Sequence, residues 1–362
     1  MQSFEIAEDI EQILKWFAQN ARQLPWREER TPYRIWVSEI MLQQTRVEAV
    51  KGYFERFMKA LPTVADLAEV PEDELLKLWE GLGYYNRVRN MQKAARVVCE
   101  QYHGELPMDF EALLKLPGIG SYTAGAIASQ AFSIPEPAVD GNVLRVLARL
   151  DGDERDIADV TVKGKVEDRL RNVMRNQLPK GQAGNFNQAL MELGATICVP
   201  NGAPKCESCP MQARCVAYVE NRQDFLPVKS PKKPRTIEEK TILLISNDRQ
   251  VLIHKRKQTG LLAGMYEFPN LEGHLGEKEA LDHVADLGLM SLRIEPLPDS
   301  KHIFTHREWL MKAYRISVAD EVDTEQIPQD LIFVNRTQIE EKYPLPSAFS
   351  RYTKYVKTCY NI

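Results

Sequence analysis

Apolar residues follow a helical period from residue 5 to about 220, and past that point the period is lost. Ile13, Leu14 and Phe17, then Leu75, Leu76, Leu78 and Trp79, recur at three- and four-residue spacing, with short Pro or Gly breaks between such stretches. This pattern predicts an all-α bundle. Residues 221–236, NRQDFLPVKSPKKPRT, carry prolines at 227, 231 and 234 and a cluster of Lys229, Lys232, Lys233 and Arg235. The stretch reads as an extended basic linker, either a solvated tether or a phosphate contact. Short β-like runs follow, TILLIS, QVLIHK, LMKAYRISV and LIFV, with helices expected near 277–288 and 346–357. A chain of 362 residues exceeds what one core usually serves. The expected organisation is therefore multidomain: an all-α domain over 1–222, a linker over 223–236 and a smaller α+β domain over 237–362.

No apolar stretch is long enough to span a bilayer, and the start, MQSFEIAEDI, lacks the features of a signal peptide. The chain is expected to be cytosolic, with no membrane partner. In a reducing compartment its six cysteines are not expected to pair as disulfides, and four of them fall within residues 198–215. Their spacing is C-x7-C-x2-C-x5-C, namely Cys198, Cys206, Cys209 and Cys215. Structural zinc sites usually join two short cysteine knuckles, whereas here one C-x2-C lies between two longer arms of a compact loop. A [4Fe–4S] cluster held by four thiolates fits that loop better, with zinc and unligated thiols as the alternatives. The formal net charge of −4 gives no overall basic footprint for nucleic acid, so such a partner would have to meet local patches.

Residues 116–128, LPGIGSYTAGAIA, set two glycines around one apolar residue and run on into a small-residue helix. Gly118 and Gly120 permit a tight turn with outward backbone N–H groups, and with Ser121 they open a helix whose positive end suits a phosphate. A plain turn between packed helices explains LPGIG equally well. Glu39, in SEIMLQQT at 38–45, shares a helix face with Ile35, Trp36, Leu42 and Gln43. It is either a surface glutamate or a buried acid whose pKa is raised, with a proton available near neutrality. Asp140 follows the proline-rich SIPEPAV and precedes an apolar-periodic helix, an N-cap position that favours the ionised form. One protonated and one ionised carboxyl is the division of labour that breaking a glycosidic bond requires.

A helix-hairpin-helix LPGIG, VDGN at 139–142 and a four-cysteine loop together resemble the iron–sulfur base-excision DNA glycosylases. With LPWR at 24–27, SEIMLQQT, GLGYYNR at 81–87 and FNQALMELG at 186–194, the chain resembles the MutY-type adenine DNA glycosylases over nearly its whole length. The resemblance implies a monomeric bacterial enzyme, in the cytoplasm at the nucleoid, that acts on duplex DNA and hydrolyses adenine paired with 8-oxoguanine or guanine. It implies that Glu39 protonates adenine and then assists water, that Asp140 stabilises an oxocarbenium-like sugar, and that Tyr122 and Asn142 support them. Arg22, Trp26, Arg27 and Gln188 would line the pocket for the flipped adenine. Gln44, Thr45, Leu82 and Tyr84 would wedge into the duplex and contact 8-oxoguanine.

The second domain resembles the Nudix fold, with AGMYEFPN at 263–270 matching its Gly-aromatic-Glu-Phe-Pro segment. The stretch EKEALDHVADLGL lacks the dense Arg and Glu helix that ligates magnesium in Nudix hydrolases, so this domain is expected to bind and not hydrolyse. Where the family reads Phe-Ser-His at a loop that contacts 8-oxoguanine, this chain has Phe304, Thr305 and His306. The first arm of the cysteine loop is also one residue longer than the common family spacing. Three other readings compete: an endonuclease III-like glycosylase/lyase, a non-catalytic iron–sulfur DNA-binding protein and a Nudix hydrolase. The first needs a Schiff-base lysine after the hairpin glycines, where Ser121 and Tyr122 stand.

Overall fold

A computed structural model describes residues 9–231, 234–247, 249–319 and 328–358. Lys232 and Lys233 of the basic linker lie outside the described residues. The chain forms two compact units. The first is Met1–Glu69 with Arg89–Pro231; the second is Val70–Val88 with Lys232–Ile362. The segment around GLGYYNR, read above as part of the helical domain, thus clusters with the C-terminal unit.

The described residues of the first unit are helical, with a few 3-10 turns and no strand. Helix Gly141–Asp151 shows why its sequence folds as it does. Asp140 caps its first turn, Val143, Leu144, Val146, Leu147 and Leu150 recur at helical spacing, and Gly152 ends it at φ 66°. Those apolar residues pack with Ile13 and Phe17 of helix Ile10–Asn20 and with Phe186, Leu190 and Leu193 of helix Ala183–Thr196. Helix Pro32–Leu42 starts with proline at its first position and Thr31 accepting from the Arg34 backbone N–H at 3.3 Å. Its residues from Ile35 to Met41 are all buried.

Helix Ser121–Phe132 relies on small residues for close approach. A Cβ added at Gly125 would stand 2.1 Å from the Pro137 backbone oxygen, so only hydrogen fits there. The buried carboxylate of Glu136 next to that contact accepts from Arg171 at 2.8 Å and from Arg175, which ties down helix Val160–Asn176.

Among its described residues the second unit is built on a seven-stranded sheet. Its strands are β1 (Thr236–Ser246), β2 (Val251–Lys255), β3 (Tyr266–Glu267), β4 (Asn270–Glu272), β5 (Ser291–Ile303), β6 (Arg307–Val318) and β7 (Leu331–Val334). The order is β3-β2-β1-β6-β5, with β4 paired to β1 and β7 to β2; β1 and β6 run parallel and the other pairs antiparallel. Alternation along β1 feeds two cores. Ile242 and Leu244 face a cluster with Phe349 and Tyr352, whereas Leu243 and Ile245 face one with Ala280 and Val284. Helices therefore cover both faces, Ser350–Thr358 on one and Glu277–Asp286 on the other. The runs predicted as strands lie in β1, β2, β6 and β7. Strand β5 was not expected, because an exposed edge strand carrying Pro296 and Pro298 has neither the apolar alternation nor the composition of a buried one. Among the described residues no helix is long and apolar enough to cross a membrane.

Gly125→Ala should destabilise the first unit by about 1–3 kcal/mol, since its methyl meets backbone that cannot rotate away. Urea unfolding checks this as a lower midpoint with an unchanged slope.

Candidate active site

Glu39 is 6% exposed, so its carboxyl has left water. Two groups two turns apart on helix Ser121–Phe132 take the place of solvent: Tyr122 Oη donates to Oε2 at 2.5 Å and Gln130 Nε2 to Oε1 at 3.0 Å. Burial pushes the Glu39 carboxyl above its ordinary range; those two hydrogen bonds and Arg27 oppose the shift, and the charge of Asp140 adds to it. Tyr122 is driven well above the usual phenol range by burial and by both carboxylates, so it stays a donor.

Asp140 caps helix Gly141–Asp151 as its position predicts. Oδ1 accepts from the backbone N–H of Asn142 at 2.9 Å and of Val143 at 2.8 Å, and Oδ2 from Asn142 Nδ2 at 2.7 Å. The expectation that capping would favour the ionised form is corrected in one respect. Although the residue is partly solvent-accessible, enough protein surrounds its carboxyl that desolvation outweighs these bonds and moves its pKa upward. The two acids still differ in support: Asp140 receives two backbone donors at a helix N-terminus and an amide, Glu39 only a phenol and an amide.

A chain of bonds leaves this site. Asn142 Oδ1 accepts from Arg145 Nη2 at 2.9 Å, the same nitrogen donates to Gly194 O at 2.7 Å, and Arg145 Nε donates to Cys198 O at 2.8 Å. A Cβ at Gly194 would come within 2.6 Å of Asn142 Cβ, so the two backbones meet without a spacer. Arg149 Nη1 reaches Cys198 Sγ at 3.3 Å and Val199 O at 3.0 Å.

Cys198, Cys206, Cys209 and Cys215 line one small cavity together with Arg149 and Tyr218. Burial pushes the Cys209 thiol up to about 12, with help from the neighbouring sulfurs, and raises Cys206 and Cys215 as well. A cationic group is what would draw such thiols into thiolates. Among the described residues no three His, Cys, Asp or Glu side chains converge as a single metal ion requires. Four thiols around one cavity are a donor set of the kind that holds a metal centre.

Of the residues expected to line a base pocket, Arg22, Arg27 and Gln188 share one network around the buried Glu192. Arg22 Nε donates to Glu192 Oε1 at 2.6 Å, Arg27 Nη2 to Oε2 at 2.9 Å, and Arg27 Nε to Gln188 Oε1 at 2.9 Å. Burial raises the Glu192 pKa, and the two arginines more than reverse it. Among the described residues the buried Gln188 Nε2 finds no partner. Trp26 is buried and packs edge-on against Phe54 at 5.5 Å, which serves the core.

In the hairpin, Gly118 has φ +76° and a Cβ there would sit 2.6 Å from Asn90 Cβ, so glycine is required twice over. Gly120 differs from expectation: its backbone is extended (φ −95°, ψ −179°) and open space lies beside it, so glycine there leaves the backbone bare without being needed for the turn. Ser121 Oγ donates to Glu167 Oε1 at 2.9 Å, a bond that a phosphate at this place would have to compete with.

Gln44, at φ +58°, is exposed, and Thr45 is half-buried beyond the end of helix Pro32–Leu42. In the second unit Tyr84 is 46% exposed at φ +48°, whereas Leu82 is buried and does not present a wedge in this conformation. Phe304, Thr305 and His306 form the tip between β5 and β6, closed by Phe304 N–H donating to Arg307 O at 2.8 Å. Phe304 packs against Trp309, Thr305 and His306 are exposed, and the Thr305 hydroxyl shares a hydrogen bond with Tyr84 Oη. Glu267 of AGMYEFPN is buried between Arg256 and His254. Helix Glu277–Asp286 spends Glu279 on capping Gly276 N–H.

Gln130, Glu192 and Arg145 were missed in the sequence. Glu192 lies one turn past Gln188 and Arg145 three residues past Asn142, so helical spacing held a signal for both. Gln130 had none, because only the packing of two helices brings it to Glu39.

Glu39→Gln should stabilise the fold increasingly as pH rises. The raised pKa means the folded state keeps a proton that the unfolded chain loses, so the cost of burying this acid is absent below the ordinary glutamate value and grows above it. Melting curves from about pH 4 to about pH 8 should show the gap between variant and parent widening toward the alkaline end.

Residues 37–172 match the model of the HhH-GPD superfamily of base excision DNA repair proteins, and residues 241–355 match the NUDIX domain. The chain is 34% identical over 295 residues to the adenine DNA glycosylase of Buchnera aphidicola subsp. Acyrthosiphon pisum, covering 81% of this chain and 82% of that one. It is 35% identical over 366 residues to the mouse enzyme of the same name, covering 84% of this chain and 70% of that one. Among solved structures, a thermostable thymine-DNA glycosylase is similar at 31% identity and TM-score 0.51, covering 58% of this chain and 95% of its own. An endonuclease III bound non-covalently to DNA is similar at 29% identity and TM-score 0.51, covering 61% and 99%. At 34% and 35% identity to relatives covered over most of their length, and with a NUDIX match following the HhH-GPD match along the chain, this protein belongs to the adenine DNA glycosylases, the base-excision repair enzymes that remove adenine.

Proposed function

We propose that this enzyme removes adenine lying opposite 8-oxoguanine, and opposite guanine, through Glu39 and Asp140. One observation carries the reading: a buried glutamate, shifted toward its protonated form and oriented by Tyr122 and Gln130, is electrostatically coupled to a second carboxylate held by a helix N-terminus. Such a pair suits N-glycosidic cleavage. The flipped adenine takes a proton from Glu39 at N7, the bond from sugar C1′ to the base nitrogen breaks, and its electron pair leaves with the purine. Positive charge then gathers on the sugar, where the Asp140 carboxylate stabilises it. Water adds at C1′ and yields its proton to the Glu39 carboxylate, which restores the acid. Gln188, with a buried N–H that lacks a partner, supports the reading that a purine acceptor is bound beside Arg27.

Gly118, Gly120 and Ser121 would grip a phosphate, with Gln44, Thr45, Tyr84 and the tip Phe304, Thr305 and His306 reading the base opposite adenine. Leu82 would join them only after leaving its buried position. Cys198, Cys206, Cys209 and Cys215 would hold a [4Fe–4S] cluster, whose cationic core would keep the four thiols ionised and tether the loop. Arg145 already ties the carbonyl of the first of these cysteines to Asn142. The lyase alternative lacks its nucleophile, because Ser121 and Tyr122 stand after the hairpin glycines and Tyr122 is committed to Glu39.

A duplex with adenine opposite 8-oxoguanine should yield an abasic site that breaks only after alkali, and Glu39→Gln should slow single-turnover release by about 10²–10⁴-fold with duplex binding retained. Strand nicking without alkali, or near-parental turnover by the variant, overturns the assignment. Anaerobically purified protein should be brown and contain iron, and Cys209→Ser should lose both colour and folded yield. Colourless, iron-free, fully active protein would remove the cluster.

A further inference from the structure

Tyr84 sits in the left-handed region, flanked by Gly81 at φ 97° and Gly83 at φ 69°. A non-glycine residue there costs energy, so the loop must be held from outside. Part of the grip is local. Trp79 Nε1 donates to Gly83 O at 3.1 Å, and Arg87 Nη2 donates to Leu82 O at 3.0 Å and Gly83 O at 3.1 Å, its guanidinium 5.5 Å from the Tyr84 ring centre. The rest comes from far along the chain. Asp73 accepts twice from Lys255 Nζ, at 2.9 Å each, and from Tyr266 Oη at 3.1 Å. Lys77 Nζ donates to Ile339 O at 2.8 Å and to Glu80 Oε2 at 2.5 Å, and Glu80 Oε1 accepts from Leu345 N–H at 2.8 Å. Three acidic and basic side chains thus fix the segment leading into Tyr84 to strand β2, strand β3 and the stretch 339–345.

Packing does not make this grip redundant. A cavity of about 360 Å³ opens beside it, lined by Lys77, Glu80, Gly81, Ile339 and Leu345 among others. Where the seam is not filled by side chains, charged hydrogen bonds set the register. The same unit carries Thr305, whose hydroxyl meets Tyr84 Oη at the other end of the segment.

We infer that Asp73, Lys255 and Glu80 are positioning residues for discrimination at the base opposite adenine: by anchoring the segment to the sheet they hold the Tyr84 hydroxyl in register with Thr305. None of the three belongs to the reading surface itself. The inference rests on the proposal above that Tyr84 and Thr305 read that base.

The test compares Asp73→Asn, Lys255→Met, Lys255→Arg and Thr305→Val in the full-length protein. Single-turnover adenine release is measured opposite 8-oxoguanine and opposite guanine, and hydrogen exchange is measured at the amides of residues 79–88 in the free protein. Asp73→Asn and Lys255→Met should each lower the 8-oxoguanine to guanine rate ratio by about tenfold, the weight of one charged hydrogen bond, and speed exchange in 79–88. Lys255→Arg keeps the charge pair and should preserve both. A merely destabilised protein loses active fraction, not this ratio. Unchanged exchange in Asp73→Asn and Lys255→Met overturns the anchoring. Faster exchange with an unchanged ratio, while Thr305→Val lowers the ratio, overturns its role in discrimination. If Thr305→Val also leaves the ratio intact, the reading of Tyr84 and Thr305 falls, and the exchange data show separately whether the anchor exists.

Discussion

Taking a carboxyl group out of water is the constraint from which the helical unit is built. A buried acid has two ways to stay in a fold: keep its proton or be surrounded by donors. Glu39 and Asp140 use both in different proportion. Glu39 sits mid-helix, where the backbone offers no free N–H, so its donors must come from a neighbouring helix as Tyr122 and Gln130. Asp140 sits where a helix begins, so two of its three donors are the backbone groups that every helix leaves unpaired at its start. Under the role proposed for Asp140, the donors that begin the helix would also be the donors that steady its anion.

That requirement reaches outward. Helix Ser121–Phe132, which carries Tyr122 and Gln130, packs so closely that Gly125 meets Pro137 O with no room for a methyl. Asn142 steadies Asp140 only while Arg145 holds its amide, and Arg145 is itself buried and pinned by Gly194 O and Cys198 O. A buried guanidinium has the same need for partners as a buried acid, and carbonyls freed where helix Ala183–Thr196 ends supply them. The cysteine loop begins at that helix end, so whatever fixes Cys198 also fixes the backbone on which Asp140 depends.

Much of this was legible in the sequence. The helical period, the Asp140 cap and the alternating runs of β1, β2, β6 and β7 are local patterns, and local patterns survive in the fold. The motif residues Glu39, Tyr122, Asp140 and Asn142 do come together, and Arg22, Arg27 and Gln188 share one network. What the sequence withheld was created by tertiary approach: Gln130 at Glu39, the two arginines that meet at Glu192, and Glu167 on the Ser121 hydroxyl. Strand β5 was hidden because an edge strand owes its pairing to β6 and not to its own apolar content. The segment 70–88 was hidden for a related reason, since its helical period says nothing about where Asp73, Lys77 and Glu80 find their partners.

An orphan among satisfied groups identifies where the molecule is unfinished. The Glu192 network gives both arginines a carboxylate and gives Gln188 Oε1 a guanidinium donor, yet Gln188 Nε2 is left buried without an acceptor. Such a donor costs about 1–3 kcal/mol while it waits. A purine edge offers ring nitrogens that accept and none of the bulk of a second side chain. If the base binds beside Arg27 as proposed, the cost would be carried by the free enzyme and relieved on binding, an interaction open to the extruded base and not to the stacked one. Gln188 sits on the helix that carries Glu192 and Gly194, so the proposed recognition of the base and the support of Asp140 would belong to one element.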